Sequence, residues 1–505
     1  MGTPRTTPAD APLSSVPDVP LDPAPLGPAP TAAGARRTVV AQVGARIVSV
    51  LAVAASTAIV LRAIGKAGYT DWGTVLQLVG FLAFAVDPGV SPIVVRRLVQ
   101  EPERAPSPAA LVPVRLALAT LALVLVVGIT VGLRGSGTAV LAVLLGGQVL
   151  PRALILNATP WLQVDQRLHR QTALEALAAV LGLALLAGGA LLDASAPVLA
   201  VLGFTGPTTL LALLMRRELR ITPSRARDVP GPQRDRVRGV LVEVAPLAGA
   251  LVLVALYMRA YVIFINAADP HDPAIALFLF AFQFVDQLMV VAAIVAGAAL
   301  PLLANRAKDA ALLRDPLTHR TVVALAAVGA VLGAAMIAFS GLLTAVVGQG
   351  VVDGAERYIR LLAPIAPLLL TSFVLAYVYV TVGRSRRYLA LNAVGLAVNV
   401  AAHALLTLHL GVEPAARITW GTELVVIACA LLPLLRTPSG RGAALTILAL
   451  VALVAVAGEL AAAGVVGAWP AAVACAALVV LVAARPLLWL ARAVGVPLPG
   501  GAPAA

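Results

Sequence analysis

Residues 197–265 read PVLAVLGFTGPTTLLALLM, then RRELRITPSRARDVPGPQRDRVR, then GVLVEVAPLAGALVLVALYMRAYVIFI. Two apolar runs, each long enough as a helix to cross a hydrocarbon core of ~30 Å, flank a polar stretch, residues 216–238, that holds eight arginines. The same alternation continues in both directions. Apolar runs occupy residues 39–62, 72–95, 109–133, 138–160, 172–192, 197–215, 239–265, 274–300, 321–345, 357–382, 389–410, 418–435, 443–463 and 469–490. The expected fold is therefore an all-α polytopic membrane protein with about 14 transmembrane helices, arranged as two six-helix bundles plus an appended helix pair.

Composition agrees. Of 505 residues, 60% are hydrophobic and only 12% charged, against about a quarter charged in a soluble chain. Mean hydropathy is +0.96. A water-soluble enzyme is excluded on that ground. The net charge of +13 would suggest nucleic acid in a soluble protein. Here, with the N-terminus placed in the cytoplasm, the inner segments carry 26 Lys/Arg and the outer loops three, Lys66, Arg134 and Arg417. The positive-inside rule thus accounts for the charge, and nucleic acid has no support. Trp72, Trp161, Trp420, Trp469 and Trp489 all fall close to proposed span ends and are expected to form an interfacial belt.

The chain divides accordingly. Residues 1–38 form a disordered cytoplasmic tail rich in Pro, Ala and Thr, with no clear signal-peptide cleavage site. Residues 39–215 form the first six-helix bundle and 216–238 a basic cytoplasmic linker. Residues 239–435 form the second bundle, 436–490 the appended helices and 491–505 a cytoplasmic tail. The run Phe81–Asp87 in span 2 resembles Phe280–Asp286 in span 8, which puts Asp87 and Asp286 at corresponding places if the halves are repeats.

An ionisable side chain at the centre of a span costs ~2.5–3.5 kcal/mol on insertion scales and needs a partner, a wet cavity or a route to the interface. Arg62, Glu175 and Arg485 lie near span ends and can snorkel. Arg360 and Glu423 are read near outer ends, Glu243 as a partner for loop arginines, and Glu459 as having no obvious partner. Arg46, Arg152 and Arg259 are harder to dismiss, as are Asp87 and Asp286. Arg115 lies two turns inside the cytoplasmic end of span 3. A cavity holding more arginine than acid attracts an anion, and the planar guanidinium fork suits phosphate. The alternative for Arg259 is an interhelical ion pair with Asp286, which would satisfy both groups.

Enzyme signatures are lacking. Cys429 and Cys475 sit in apolar runs, and the histidines are scattered. His271 lies in an Asp/Pro-rich turn. No metal-ligand spacing or Gly-rich phosphate loop occurs, so neither metal nor cofactor is expected. The outer loops are short, which disfavours a membrane glycan polymerase or ligase.

The residues also carry a resemblance. Gly65-Lys66-Ala67-Gly68-Tyr69, then Asp87-Pro88-Gly89 and Val94-Val95-Arg96-Arg97, resemble the start of polysaccharide (O-antigen type) flippases of the multidrug/oligosaccharidyl-lipid/polysaccharide exporter superfamily. Tyr257-Met258-Arg259, Ala281–Asp286, Ala298–Pro301, Gly348 with Ala355, Gly383-Arg384, Asn392, Asn399, Gly411 and Glu423 follow in that family's order. The resemblance covers roughly residues 39–435. It implies a V-shaped pair of six-helix bundles, alternating access and export of an undecaprenyl-diphosphate-linked oligosaccharide. Substrate-binding Arg46, Arg259, Arg152 and Arg115 are then expected, with Asp87 or Asp286 as a coupling group or ion-pair partner. Partners would be the lipid-linked oligosaccharide, membrane lipids, and glycosyltransferases or a polymerase. The location would be the cytoplasmic membrane with both termini inside. The family's acidic residue two positions after the span 7 arginine is replaced by Tyr261, which leaves Arg259 to a ligand or to Asp286. A lipid II flippase and a multidrug antiporter share this architecture, although a cationic drug would call for a net acidic cavity.

Overall fold

Leu, Val and Ala dominate each apolar run, and in lipid such runs have one way to satisfy every backbone N–H and C=O within a single segment, the α-helix. The computed structural model describes residues 32–87, 89–165, 167–221, 232–304, 315–382 and 384–493, and these are helical almost throughout, with no strand. Residues 1–31 and 494–505 of the expected tails and 222–231 of the basic linker lie outside the described residues; residues 32–38, expected to be disordered, are instead helical and continue into span 1, and 216–221 and 233–238 of the expected linker extend the helices on either side.

Each of the fourteen expected runs meets a helix. Spans 1 and 2 lie in Ala32–Val86, divided at Gly65, whose φ of 67° and ψ of −178° end one helix and start the next. A side chain at that φ would be strained, and glycine is not. Span 3 is Pro108–Arg134. Span 4 runs over Ser136–Val164, span 5 is Leu168–Leu191 and span 6 runs over Ala196–Leu219. Span 7 comprises Gln233–Arg259 and Tyr261–Ala268, and span 8 is Ala274–Ala304. Span 9 runs over Pro316–Gly348. Span 10 is the pair Ala355–Leu362 and Ile365–Thr381, bent by 41° next to Pro364, since proline breaks the helical ladder. Span 11 runs over Ser385–Leu410, and spans 12, 13 and 14 are Glu413–Leu431, Pro438–Ala462 and Ala468–Ala493. The protein is a multi-pass α-helical membrane protein.

Span 9 is deeply enclosed, with 72% of its apolar stretch buried. Spans 10, 13 and 14 pack around it. Close approach is built into it at Gly329 and Gly333. A Cβ on Gly329 would lie 2.5 Å from the Pro367 Cα, and one on Gly333 would lie 2.9 Å from the Ala363 carbonyl oxygen. This is the small-residue spacing that lets membrane helices touch backbone to backbone. Span 13 is fastened at one end by Arg417, whose Nε and Nη2 donate to Glu459 at 2.6 and 2.8 Å, and by Arg360, which donates to the Ala461 carbonyl at 3.0 Å. Glu459 therefore has a partner that the sequence does not disclose, because Arg417, expected in an outer loop, lies within the helix Glu413–Leu431. Both side chains are about two-fifths exposed, and exposed pairs contribute little. Glu459→Gln should lower stability by only ~0.2–1 kcal/mol, read as a small change in the thermal midpoint in detergent.

The tryptophans depart from the expected belt. Trp469 is exposed and meets Phe339 edge-on, and Trp489 is half-buried. Trp72 and Trp161, each 1% exposed, are instead core residues. Trp72 packs edge-on against Phe204 at 5.5 Å. An indole near a span end serves the interior equally well when neighbouring helices cover it, and sequence position does not distinguish the two.

Candidate functional site

Polar side chains of spans 2, 7 and 8 meet in one largely buried cluster. Span 7 is interrupted at Ala260, between Gln233–Arg259 and Tyr261–Ala268, although the backbone there stays helical, with φ −56° and ψ −32°, and the span Gln233–Ala268 remains continuous. Arg259 is the last residue before that point and is 7% exposed. Its two terminal nitrogens straddle the Asp286 carboxylate of span 8, Nη2 to Oδ1 at 2.5 Å and Nη1 to Oδ2 at 3.3 Å. Gln77 of span 2 donates its amide to Asp286 Oδ2 at 3.2 Å. The Phe282 ring lies under the guanidinium, 5.6 Å from Cζ to centroid, a cation–π contact. Gly80 completes the wall, since a Cβ there would come within 3.1 Å of the guanidinium carbon.

Spans 1 and 2 are thus joined to spans 7 and 8 by a polar seam. Thr57 and Tyr69 both hydrogen-bond Gln283, Thr57 at 2.6 Å and Tyr69 at 2.5 Å. Asn266 reaches Thr74 at 3.5 Å. In hydrocarbon such groups need each other, because no water is available. A seam of uncharged polar side chains is also one that can be unmade when water enters.

The expected site residues separate into three kinds. Arg259 and Asp286 come together in the ion pair. Arg259 is consequently not free for a ligand in this state. Asp286 reaches Arg259 from span 8, and Tyr261, two residues further along span 7, offers no carboxylate. Arg115 and Asp87 form a second pair some distance along the chain, with Nη2 3.5 Å from Oδ1 and 3.1 Å from Ser91 Oγ. Arg115 is 1% exposed, so it turns inward rather than snorkelling. Its Nε and Nη1 have no hydrogen-bond partner among the described residues. Asp87 and Asp286 do not occupy matching mid-span places: Asp87 lies in a bend just past the helix end at Val86, whereas Asp286 lies inside the continuous helix Ala274–Ala304, and their arginines come from spans 3 and 7. Arg152 is separate from both pairs. It lies near the middle of span 4 and is exposed, with Gln148 four residues before it and Gln163 eleven after, on the same helical face. Arg46 lies on the first helix, and its side chain is outside the described ones.

Sequence reasoning missed Gln77, Gly80, Thr57, Tyr69 and Gln283. The available signal was an amide within an apolar run, which is nearly as demanding as a charge but does not register in a count of ionisable residues. It also placed Glu423 too near a helix end. Glu423 is central to Glu413–Leu431, 1% exposed, and accepts from the Tyr257 hydroxyl at 2.7 Å. Asn399 and Thr422 bond beside it at 3.0 Å. Among the described residues no group of His, Cys, Asp and Glu has the geometry to hold a metal.

No protein-family model matches the sequence, and no curated protein matches it. Solved structures do match in fold. A lipid II flippase MurJ in an inward closed conformation superimposes with a TM-score of 0.62 at 11% identity, covering 91% of this chain and 99% of that one. An inward-facing multidrug resistance MATE family transporter of the MOP superfamily gives 0.56 at 14% identity, covering 81% and 98%. A MOP superfamily transporter from Pyrococcus furiosus, described as having a binding pocket of reverse polarity, gives 0.53 at 16% identity, covering 82% and 95%. At these identities the likeness is one of architecture, and the chain has the fold of MOP superfamily transporters.

Proposed function

We propose that this protein is a flippase that moves an undecaprenyl-diphosphate-linked oligosaccharide across the cytoplasmic membrane by alternating access between two six-helix bundles, residues 39–215 and 239–435. The observation that carries the reading is the Arg259–Asp286 pair at the meeting of spans 2, 7 and 8. A guanidinium set against a carboxylate and one glycine wall can exchange that carboxylate for a phosphate of the same bidentate geometry when spans 2 and 8 separate. Arg152, exposed in mid-span and in no ion pair among the described residues, adds positive charge, which favours an anionic headgroup over a cationic drug. Residues 436–490 are an added pair. The termini are cytoplasmic, which places the polar, arginine-rich connections on the side where the substrate is made.

A lipid II flippase is the second reading, favoured by the fold match at TM-score 0.62. It shares the diphosphate and differs in the sugar. Depletion of the protein followed by leaflet-specific analysis of undecaprenyl-linked glycans tests the proposal. Accumulation of completed lipid-linked units on the cytoplasmic leaflet is expected, and the glycan that accumulates separates the two readings. Accumulation of unpolymerised units on the outer leaflet would instead indicate a polymerase.

A further inference from the structure

Span 2 does not run straight into the cytoplasm. Its helix ends at Val86, and a second helix, Val90–Gln100, begins after Gly89, whose φ of 86° is left-handed. Asp87 ties this short arm to the break. It accepts from the Ser91 backbone N–H at 3.0 Å and bonds the Ser91 hydroxyl, and Arg115 braces both from span 3. Beyond this anchor the arm crosses to span 7. Val90 and Val94 are buried with Val237, Val240 and Val244 of span 7, together with Leu111 and Trp161, in a small cluster separate from the main core.

At its far end the arm presents two adjacent guanidiniums to one carboxylate. Arg96 Nη2 lies 2.5 Å from Glu243 Oε1, and Arg97 Nη2 lies 3.0 Å from Oε2. Arg97 also donates to the Arg236 carbonyl at 3.4 Å. Two positive groups sharing one negative group leave a net positive charge, and the Arg96 side chain is 46% exposed at the cytoplasmic end of spans 2 and 7. Each guanidinium fork that holds one oxygen of Glu243 could hold one phosphate oxygen equally well.

We infer that Arg96 and Arg97 are an entry site for a diphosphate, masked by Glu243, and that exchange of the carboxylate for the phosphate oxygens releases the Val90–Gln100 arm from span 7. The arm is then both receptor and cytoplasmic gate. Its pivot is Gly89, its fixed end is Asp87 with Arg115, and its free end responds to the anion. The inference rests on the diphosphate reading of the substrate, but the gate itself needs neither sugar nor lipid to operate.

The test uses the full chain in inside-out membrane vesicles, with Cys429→Ala and Cys475→Ala removing native thiols and Val94→Cys placing a probe beneath the arm. Labelling by a membrane-impermeant maleimide reads the lifting of the arm. Glu243→Gln should raise the labelling rate by about tenfold, the equivalent of ~1.4 kcal/mol. Millimolar inorganic pyrophosphate should raise it in the Glu243 chain and should lose that effect in Arg96→Gln/Arg97→Gln, whereas chloride at equal ionic strength should not act. If pyrophosphate leaves the Glu243 chain unlabelled, or acts equally without the two arginines, the inference is overturned. Should Glu243→Gln fail to reach the membrane, the pyrophosphate response of the Glu243 chain decides alone. A correct labelling pattern in a protein that flips no lipid-linked glycan would refute the proposed function and leave the anion-gated arm standing.

Discussion

Asp286→Asn is expected to destabilise the protein by ~3–5 kcal/mol, the usual cost of orphaning one member of a buried ion pair. Arg259 is 7% exposed and lies against Phe282 and Gly80, and the Asp286 side chain is only 24% exposed, so the guanidinium is left largely out of water once the carboxylate is gone. The Gln77 amide, which donates to Asp286, is left facing a weaker acceptor. The thermal midpoint of the purified protein in detergent should fall accordingly. Arg259→Met combined with Asp286→Leu removes both charges and keeps the volume, so it should recover most of that stability. A purely structural pair predicts that the double variant also recovers transport. The proposed role predicts a stable protein whose flipping rate stays down by about tenfold or more, because the phosphate has lost its receiving fork.

Gly329→Leu should be as damaging for a different reason. The Cβ alone would sit 2.5 Å from the Pro367 Cα and 2.6 Å from the Ala366 carbonyl oxygen, and both neighbours are backbone. Backbone cannot rotate away as a side chain can. Span 10 would have to withdraw from span 9, opening a deeply buried helix contact. The cost should reach or exceed ~3 kcal/mol, the upper end of ordinary overpacking, and appear as loss of folded protein from the membrane. Gly341→Leu on the same helix is the control. Nothing lies within 4 Å of that site, so yield should be unchanged.

The two cases mark what sequence can and cannot disclose. The helices were legible because transfer of ~20 apolar residues into lipid is a property of each segment by itself. Even the break at Gly65 falls between two expected runs. Partners are a property of packing. Asp286 as a mate for Arg259 could be proposed from spacing on neighbouring spans. Glu459 with Arg417 could not, because the arginine was read as a loop residue. Trp72 was assigned to the membrane surface by its position near a helix start, yet its ring fills the interior beside Phe204. The amides of Gln77 and Gln283 carry no charge, so hydropathy gave them little weight, although they are what connects span 2 to span 8. Span 7 is also interrupted after Arg259 without a proline or glycine to announce it.

The most direct measurement is transport by the purified protein in proteoliposomes loaded with a fluorescent undecaprenyl-diphosphate oligosaccharide, read by quenching or enzymatic capture at the outer face. The account predicts protein-dependent movement of the diphosphate lipid that falls by about tenfold or more in the stable Arg259→Met/Asp286→Leu variant. Movement no faster than in protein-free vesicles, or equal movement in that variant, would contradict it.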